Sequence, residues 1–476
     1  MGGVKAAIAA ACVALVVAGC GSTTQGRAVS PLYDPFRAGG LPAQDGPSGI
    51  REDAPTPEGD VRGTDGGDAD KLATLAVNDV AAFWEQNYSE SFGGSFTAVQ
   101  DLVSYNSESP SSPEICGGQT YDNPNALFCP PEHLIAWDRG VLVPIGQQFF
   151  GDTSIAALLA HEYGHAVQDM AKIAHDDTTT LVSEQQADCL AGTYVRWVAE
   201  GKSPRFELST GDGLNHVLAG VLTLRDPTYV AGDAPYLEQG HGTALDRISA
   251  FQMGFTSGAS ECAKIDMDEI TQRRGDLPLT LPDEDTGGTS SGNVEVTQDV
   301  VTSLVDVLGE VFHPSDAPKL SFDAPECTDA KPSPPASYCP ETNTIFVDAG
   351  ALADMGAPSD RQDYTLLQGD NTALSVVTSR YALALEHERG EPLDDAAAAL
   401  RTACLTGVAQ SAMSENEGLA LTLTAGDLDE AVAGLLTNGL VASNVNGETV
   451  PAGFTRIVAF RSGLGGDQDL CYARFT

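Results

Sequence analysis

The chain has 476 residues, enough for two or three domains with well-filled cores. It contains 67 acidic residues against 25 lysines and arginines, which gives a formal net charge of −42. This charge argues against nucleic acid as a partner, because phosphate contacts need basic surface. The same acidity suits a preference for basic substrates, and it equally suits a soluble, self-repelling surface outside the cytoplasm.

The first residues have the layout of an export signal, which we assign to residues 1–19. Lys5 supplies a positive charge, and the apolar run 6–18 is too short to span a bilayer. The run ends in the tetrapeptide VAGC, which resembles the lipobox of bacterial lipoproteins. That resemblance implies a lipid on the thiol of Cys20 and attachment to the extracytoplasmic face of the cell membrane. An ordinary secretory signal with an incidental cysteine is the alternative.

Two segments have the composition of linkers. Residues 20–69 are rich in glycine, proline, aspartate and serine and contain few large apolar side chains. Such a segment buries too little surface to fold, so we predict a flexible acidic tether. Residues 283–292 are acidic and then Gly/Ser-rich, which predicts a second linker. The folded units are then expected at residues 70–282 and 293–476.

The sequence HEYGH, which contains His161 and His165, is the strongest chemical signal in the chain. Residues four apart lie one above the other on a helix face, so both imidazoles can reach one metal ion. Glu162 is placed to take a proton from a metal-bound water. A catalytic zinc also needs a third protein ligand and an open position for water. Two surface histidines on an amphipathic helix are the alternative.

The third ligand is expected from a different helix. Gln168 and Ala171 stand where the longer HExxHxxGxxH pattern requires glycine and histidine, so a third histidine there is excluded. Glu184 and Asp188 lie four apart in a predicted helix over residues 178–200. Gluzincin peptidases use such a pair: the glutamate binds zinc, and the aspartate accepts the other ring N–H of the first histidine. Taken alone, the pair is more typical of an acidic helix surface than of a metal site.

Three sequence blocks in the same order make the resemblance more specific. They are HEYGHAVQ, EQQADCLAG, and a third block that begins with HGTALDR at His241 and ends at Cys262. Over about residues 70–264 the chain resembles the bacterial neutral zinc metallopeptidase family. This resemblance implies an α+β, zincin-like fold, in which a small sheet packs against the two helices that carry the site.

The family resemblance also implies roles for individual residues. The resemblance implies that His161, His165 and Glu184 are the zinc ligands and that Glu162 is the general base. His241 is a candidate to stabilise the oxyanion of the tetrahedral intermediate, with a structural loop histidine as the alternative. A strand predicted at 134–137 is the candidate to pair with an extended substrate, because zincins place a strand beside the active-site helix.

Residues 293–476 repeat the layout of the first unit. Cysteines, glycines and apolar positions recur in order, as in ADCLAG at 187–192 and TACLTG at 402–407. In the second copy, the six proposed site positions are occupied by Ser379, Arg380, Leu383, Ala399, Ala403 and Val450. We therefore predict a degenerate, pseudo-symmetric repeat without a metal site, and one zinc per chain. The inactive copy is expected to shape or cover the cleft of the first.

The repeat also predicts the disulfides, because each copy has four cysteines and an exported chain favours pairing. The predicted pairs are Cys116–Cys129, Cys189–Cys262, Cys327–Cys339 and Cys404–Cys471. A thiolate ligand to zinc is the alternative.

The sequence thus predicts a lipid-anchored, extracytoplasmic zinc metallopeptidase that cleaves peptide or protein substrates with a zinc-activated water. Two other functions stay open. One is a catalytically silent zinc-binding scaffold that works with other envelope proteins. The other is hydrolysis of a non-protein amide in the cell wall.

Overall fold

The computed structural model describes residues 30–175, 177–281, 293–324, 327–358, 366–415 and 418–476. The predicted signal peptide at 1–19, the predicted lipidation site Cys20 and the predicted linker at 283–292 lie outside these ranges. Within the ranges, no helix combines the length and the apolar character that a bilayer span requires.

The first half of the chain mixes short strands with longer helices. Its strands are β1 (Arg37–Ala38), β2 (Leu41–Pro42), β3 (Gly49–Ile50), β4 (Val61–Arg62), β5 (Asp101–Tyr105), β6 (Glu114–Ile115), β7 (Gly118–Gln119), β8 (Ala126–Cys129), β9 (Leu134–Asp138), β10 (Phe206–Glu207), β11 (Tyr229–Val230) and β12 (Thr280–Leu281). Its helices are α1 (Asp68–Phe92), α2 (Leu142–Phe150), α3 (Asp152–Ala171), α4 (Thr180–Ala199), α5 (Asp212–Thr223), α6 (Ala244–Ser257), α7 (Ala259–Cys262) and α8 (Met267–Arg274). The predicted α+β class is therefore confirmed.

A four-stranded sheet in the order β4-β5-β9-β8 supports the helices of the first half. β5 runs parallel to β4 and β9, whereas β8 runs antiparallel to β9 and forms one edge. α3 lies against β8 and also packs on α1. The indole of Trp137 on β9 donates a hydrogen bond to Asp70 of α1 at 2.9 Å, which ties the sheet to the helix layer. The edge strand β8 therefore lies beside the helix that carries the HEYGH sequence.

Helices α4 and α6 make the most extensive contact of the first half, and glycine makes it close. A Cβ on Gly254 of α6 would overlap the carbonyl oxygen of Cys189, and one on Gly192 of α4 would overlap that of Phe251. The disulfide between Cys189 and Cys262 closes the same contact. The two helices thus pack backbone to backbone, which fixes the direction in which α4 presents its side chains.

The second half repeats the order of the main elements of the first, without counterparts to β1–β4, β6, β7, β10–β12 and α8 among the described residues. Its strands are β13 (Lys319–Ser321), β14 (Ala336–Cys339) and β15 (Thr344–Val347). Its helices are α9 (Gln298–Phe312), α10 (Ala349–Met355), α11 (Asp370–Arg389), α12 (Ala396–Glu415), α13 (Ala425–Thr437), α14 (Gly453–Leu464) and α15 (Gln468–Arg474). β15 lies between β13 and β14, as β9 lies between β5 and β8. Gly463 of α14 meets the carbonyl oxygen of Cys404, so the close glycine contact recurs as well.

The two halves share one continuous hydrophobic core. α13 and α14 of the second half pack on α5 and α6 of the first. Gln252 of α6 donates to the carbonyl oxygen of Phe454 at 2.9 Å, and the backbone N–H of Gly453 donates to Asn215 at 2.8 Å. Within the described residues, the cavities beside His161 and His165 are lined by the first half, and the second half contributes no lining residue to them. It supports α5 and α6 from the other side.

Residues 30–69 are packed on the first half, so the predicted tether is wrong for this part of the chain. β3 pairs with β10 through Ile50 and Phe206, and β4 extends the main sheet. Arg196 of α4 donates to the carbonyl oxygen of Gly39 at 2.6 Å, and Ala38 is fully buried. The composition correctly indicates that this segment has no core of its own. It is ordered because its backbone pairs with strands and side chains of a larger body.

All four predicted disulfides are present in the structure. They are Cys116–Cys129, Cys189–Cys262, Cys327–Cys339 and Cys404–Cys471, with Cα–Cα distances of 5.5 to 5.6 Å. Because Cys189 is bonded to another cysteine, the alternative of a thiolate zinc ligand at this position is excluded.

The glycine contact between α4 and α6 gives the first prediction. Gly254→Ala should lower the free energy of unfolding by about 1–3 kcal/mol, because the methyl group forces the two backbones apart. Gly309→Ala is the matched control: it is also helical, and its new Cβ would meet only the hydroxyl of Tyr381 at 3.6 Å. Urea unfolding of both variants checks this, and equal stabilities would contradict the proposed close packing.

Candidate metal centre

The helix α3 presents His161 and His165 on one face. Their ring centroids are 5.0 Å apart. Gly164 lies between them, where a Cβ would stand 3.1 Å from the Cα of Ala187 on α4. The absence of a side chain at Gly164 therefore lets α4 approach α3. This approach brings the acidic residues of α4 to the two imidazoles.

Glu184 of α4 faces both histidines. Its Oε2 lies 3.0 Å from Nε2 of His161, and its Oε1 lies 3.5 Å from Nε2 of His165. One ligand atom from each of the three residues falls within a group whose members are at most 4.8 Å apart. The ion-pair partners of this carboxylate in the described part of the chain are all histidines. Two imidazole nitrogens and one carboxylate are the donor set of a catalytic zinc, so these residues fit the predicted metal.

Asp188 lies behind His161, as the sequence predicts. Its Oδ1 is 2.8 Å from Nδ1 of His161. Arg247 of α6 donates two hydrogen bonds to the same carboxylate, at 2.8 and 2.7 Å. Burial alone would raise the pKa of Asp188, but Arg247 and His161 hold it below its usual value. An ionised Asp188 can only accept, so the Nδ1–H of His161 donates and Nε2 is left free for a metal.

Gln168 serves His165 in the same way. Its Oε1 lies 2.8 Å from Nδ1 of His165, and its Nε2 donates to the carbonyl oxygen of Ser183 at 2.6 Å. From the sequence, Gln168 is visible only as a departure from the longer HExxHxxGxxH motif, and Arg247 has no assigned role. Arg247 lies in the block that begins at His241, and an arginine recurs at the matching position in the second half. That recurrence is the sequence feature from which a role for Arg247 could be inferred.

Glu162 is 8% exposed and points toward the edge strand β8. Its Oε2 accepts a hydrogen bond from the backbone N–H of Phe128 at 3.0 Å. Burial raises the pKa of its carboxyl group, while the neighbouring histidines lower it. A carboxylate that is buried, close to a metal site and held through one oxygen is suited to accept a proton at the other.

The strand predicted to pair with a substrate is the wrong one. Residues 134–137 do form a strand, but β9 is hydrogen-bonded to β5 on one side and to β8 on the other. Both of its edges are occupied, so it has no free backbone groups for a peptide. This sheet has two edge strands, β4 and β8, and β8 is the one next to Glu162.

His241 lies at the rim of the centre. Its side chain is 50% exposed, and its Nε2 is 3.6 Å from Oε2 of Glu184. Asp226 faces the other ring nitrogen at 3.4 Å and accepts a hydrogen bond from the N–H of Gly242 at 2.8 Å. The structure therefore brings His241 to the five other predicted site residues, with its ring open to solvent.

Electrostatics at the centre favour a cation. Burial would lower the pKa of His161, but Asp188 and Glu184 raise it to about 10. Burial would raise the pKa of Glu184, but the two histidines hold it well below its usual range. The carboxylates thus attract positive charge to the space between the imidazoles, whether it is carried by protons or by a metal ion.

The matching place in the second half is filled by protein. Ser379 and Arg380 replace the first histidine and the glutamate, and both are fully buried. The guanidinium of Arg380 donates to the carbonyl oxygen of Leu440 at 2.9 Å and to the hydroxyl of Ser443 at 2.7 Å. The helix is thus retained, while its inner face binds backbone oxygens.

Residues 49–265 match the model of the family described as putative neutral zinc metallopeptidase. No curated protein sequence and no solved structure gives a match to the chain. The matched range begins at β3, before the predicted domain start at residue 70, which agrees with the packing of residues 49–69 on the first half. It contains all of the residues assembled at the centre, whereas the second half lies outside it.

The geometry predicts the metal content of two variants. His161→Ala should lower the zinc content of the purified full chain from about one per chain to well below it, because one of three protein ligands is lost. His216→Ala should leave it unchanged, because His216 is exposed on α5 and away from the centre. Elemental analysis of both proteins checks this, and equal zinc contents would contradict the assignment.

Proposed function

We propose that this chain, whose residues 49–265 belong to the putative neutral zinc metallopeptidase family, is a zinc-dependent peptidase with a zincin-like fold. The convergence of three metal-binding side chains beside a buried carboxylate carries this proposal. The proposed ligands are His161, His165 and Glu184, and the proposed general base is Glu162.

The proposed chemistry divides between the metal and the protein. A bound zinc would lower the pKa of its water toward 7 and polarise the scissile carbonyl. Glu162 accepts the proton of the attacking water at the oxygen that Phe128 does not occupy, and passes it to the leaving amine. In its doubly protonated form, with Nδ1–H toward Asp226, His241 donates a hydrogen bond from Nε2 to the oxyanion as it develops. Asp188 and Gln168 keep the two imidazoles in the required tautomer and orientation.

The edge strand β8 supports an extended peptide as the substrate. It ends the four-stranded sheet and borders Glu162 through Phe128. A peptide that adds to this edge would gain main-chain hydrogen bonds and lie along the site. In this proposal β8 takes the role that the sequence analysis gave to residues 134–137.

An apolar cavity of about 250 Å³ supports a preference for a large apolar side chain. It opens beside His161 between α2, α3 and α5, and it is lined by Leu158, Val217 and Val221 among others. The ionisable residues on its wall, His161, Asp188 and Arg247, are hydrogen-bonded through Asp188. Because the wall of the cavity presents no unpaired charge, the cavity suits leucine or phenylalanine better than a basic residue.

Export and lipid anchoring complete the proposal. The VAGC sequence supports a lipid on Cys20 and a place on the extracytoplasmic face of the cell membrane. The four disulfides support an oxidising compartment. We further propose that the second half is a degenerate copy of the peptidase fold without zinc. The shared order of elements and the recurrent glycine contact support that origin.

The general base is tested by Glu162→Gln. This variant should keep its zinc and lower kcat by about 10²–10⁴-fold, because the amide cannot accept the proton. Glu132→Gln, a change of an exposed glutamate on the same domain, should cleave like the wild type. A fluorogenic peptide library and elemental analysis measure both effects. Unchanged turnover in Glu162→Gln would contradict the mechanism, and zinc without any cleavage by the wild type would favour a silent scaffold.

The apolar cavity is tested by Gly220→Leu on α5. A Cβ at this position meets Ser154 and Phe150 only at ordinary contact distances of 3.6 and 3.8 Å, so the larger side chain extends into the cavity. Wild type should prefer leucine or phenylalanine over alanine in the pocket by about 10–200-fold in kcat/KM, and the variant should lose that preference. Gly220→Ala, which leaves most of the space, should keep it. An unchanged preference in Gly220→Leu would place the specificity pocket elsewhere.

A further inference from the structure

A single excursion of the chain carries His241 to the metal centre. Residues 226–243 run from the end of α5 to the start of α6, and they include β11 and a turn of 3₁₀ helix at Ala231–Tyr236. The base of the excursion is closed by two hydrogen bonds. Asp226 N–H donates to the carbonyl oxygen of Gly242 at 3.1 Å, and Gly242 N–H donates to the carboxylate of Asp226 at 2.8 Å. His241 therefore lies next to Gly242, which pairs with Asp226 and closes the base of the excursion.

One carboxylate of the second half holds both ends of this excursion. Asp429 lies on α13, and its Oδ1 accepts a hydrogen bond from the N–H of Ala244 at 3.1 Å. Its Oδ2 is 3.3 Å from Nε of Arg225. Arg225 immediately precedes the excursion and Ala244 immediately follows it. Asp429 therefore contacts both the residue just before the excursion and the residue just after it.

The contact is buried and charged. Asp429 is 4% exposed. Burial raises the pKa of its carboxyl group to about 7; Arg225 opposes that shift, and Asp246 adds to it. Replacing such a pair by apolar residues of similar shape is often neutral or stabilising, so a buried ion pair is weak evidence for stability alone. A role in fixing the relative position of its neighbours accounts better for a carboxylate at this place.

We propose that Asp429 is a positioning residue for the active site of the other half. It fixes the base of the excursion, and through Asp226 and Gly242 it sets His241 beside Glu184. This inference rests on the proposed function and assigns a task to the half that has no metal site. The second half acts as a buttress for the residue that binds the oxyanion, and it does so without entering the cleft.

The test uses the full-length chain and a double-mutant cycle. Asp429→Ala should lower kcat by about tenfold or more, since a displacement of about 1 Å at a catalytic group is enough for 10²-fold. Zinc content should remain unchanged, because the residues that face the metal do not touch Asp429. In a His241→Ala background, adding Asp429→Ala should cause no further loss of kcat. Asp429→Asn, which keeps an oxygen for the Ala244 N–H, should recover part of the activity and replaces Asp429→Ala if that protein does not fold.

Asp306→Ala, which removes an exposed carboxylate from α9 of the same half, is the matched control and should behave as wild type. A loss of kcat that is the same with and without His241 would overturn the proposal, because it would mean that Asp429 does not act through His241. Wild-type kcat in Asp429→Ala would also overturn it.

A second readout separates this proposal from the proposed function. Amide hydrogen exchange over residues 226–243 should be faster in Asp429→Ala than in Asp306→Ala, at Gly242 above all. Unchanged exchange would overturn the positioning role even in an active enzyme. If the wild type cleaves no peptide, the proposed function fails, while faster exchange still supports the buttress.

Discussion

The close approach of α3 and α4 is the constraint on which the centre depends. Gly164 leaves room for the backbone of Ala187, and Glu184 then reaches both imidazoles from the neighbouring helix. The carboxylates of Glu184 and Asp188 are brought into the same space, and their charge is offset by Arg247 and by the positive charge that the histidines carry. The grouping of the proposed metal ligands and the orientation of the His161 ring both follow from this one contact between helices.

The second half keeps packing features of the first half, while the positions that match the proposed metal ligands hold other residues. It keeps the glycine contact of Gly463 with Cys404 and the disulfide that closes it. Arg456 matches Arg247, but Ala403 replaces the aspartate, and the guanidinium donates to the carbonyl oxygens of Val450 and Leu435 instead. The buried guanidinium thus has backbone partners in place of the aspartate. Stability lies in the core, the glycines and the disulfides, and the site is an addition to them.

Sequence reasoning succeeded where local geometry decides the outcome. The spacing of His161 and His165 places them on one helix face, and the internal repeat selects the disulfide pairs. It failed where contacts between distant parts of the chain determine the structure. The strand at 134–137 exists, but its central place in the sheet follows from pairing with β5 and β8. Residues 30–69 are ordered only because other elements offer them partners, and no local pattern reveals that.

The same limit applies to the outer residues of the centre. Gln168 and Arg247 act through hydrogen bonds that become visible only once α3, α4 and α6 are assembled. Asp429 comes from the half that had lost every proposed ligand, so a comparison of matching positions could not single it out. The two halves are therefore one functional unit in this account, since the second supports α6 and the segment that carries His241.

The most direct measurement is anomalous X-ray diffraction at the zinc absorption edge from crystals of the zinc-loaded full chain. The account predicts one strong peak per chain, within bonding distance of Nε2 of His161, Nε2 of His165 and the carboxylate of Glu184. A peak only in the second half, or no peak between these three side chains, would contradict the central claim that the first half holds a catalytic zinc.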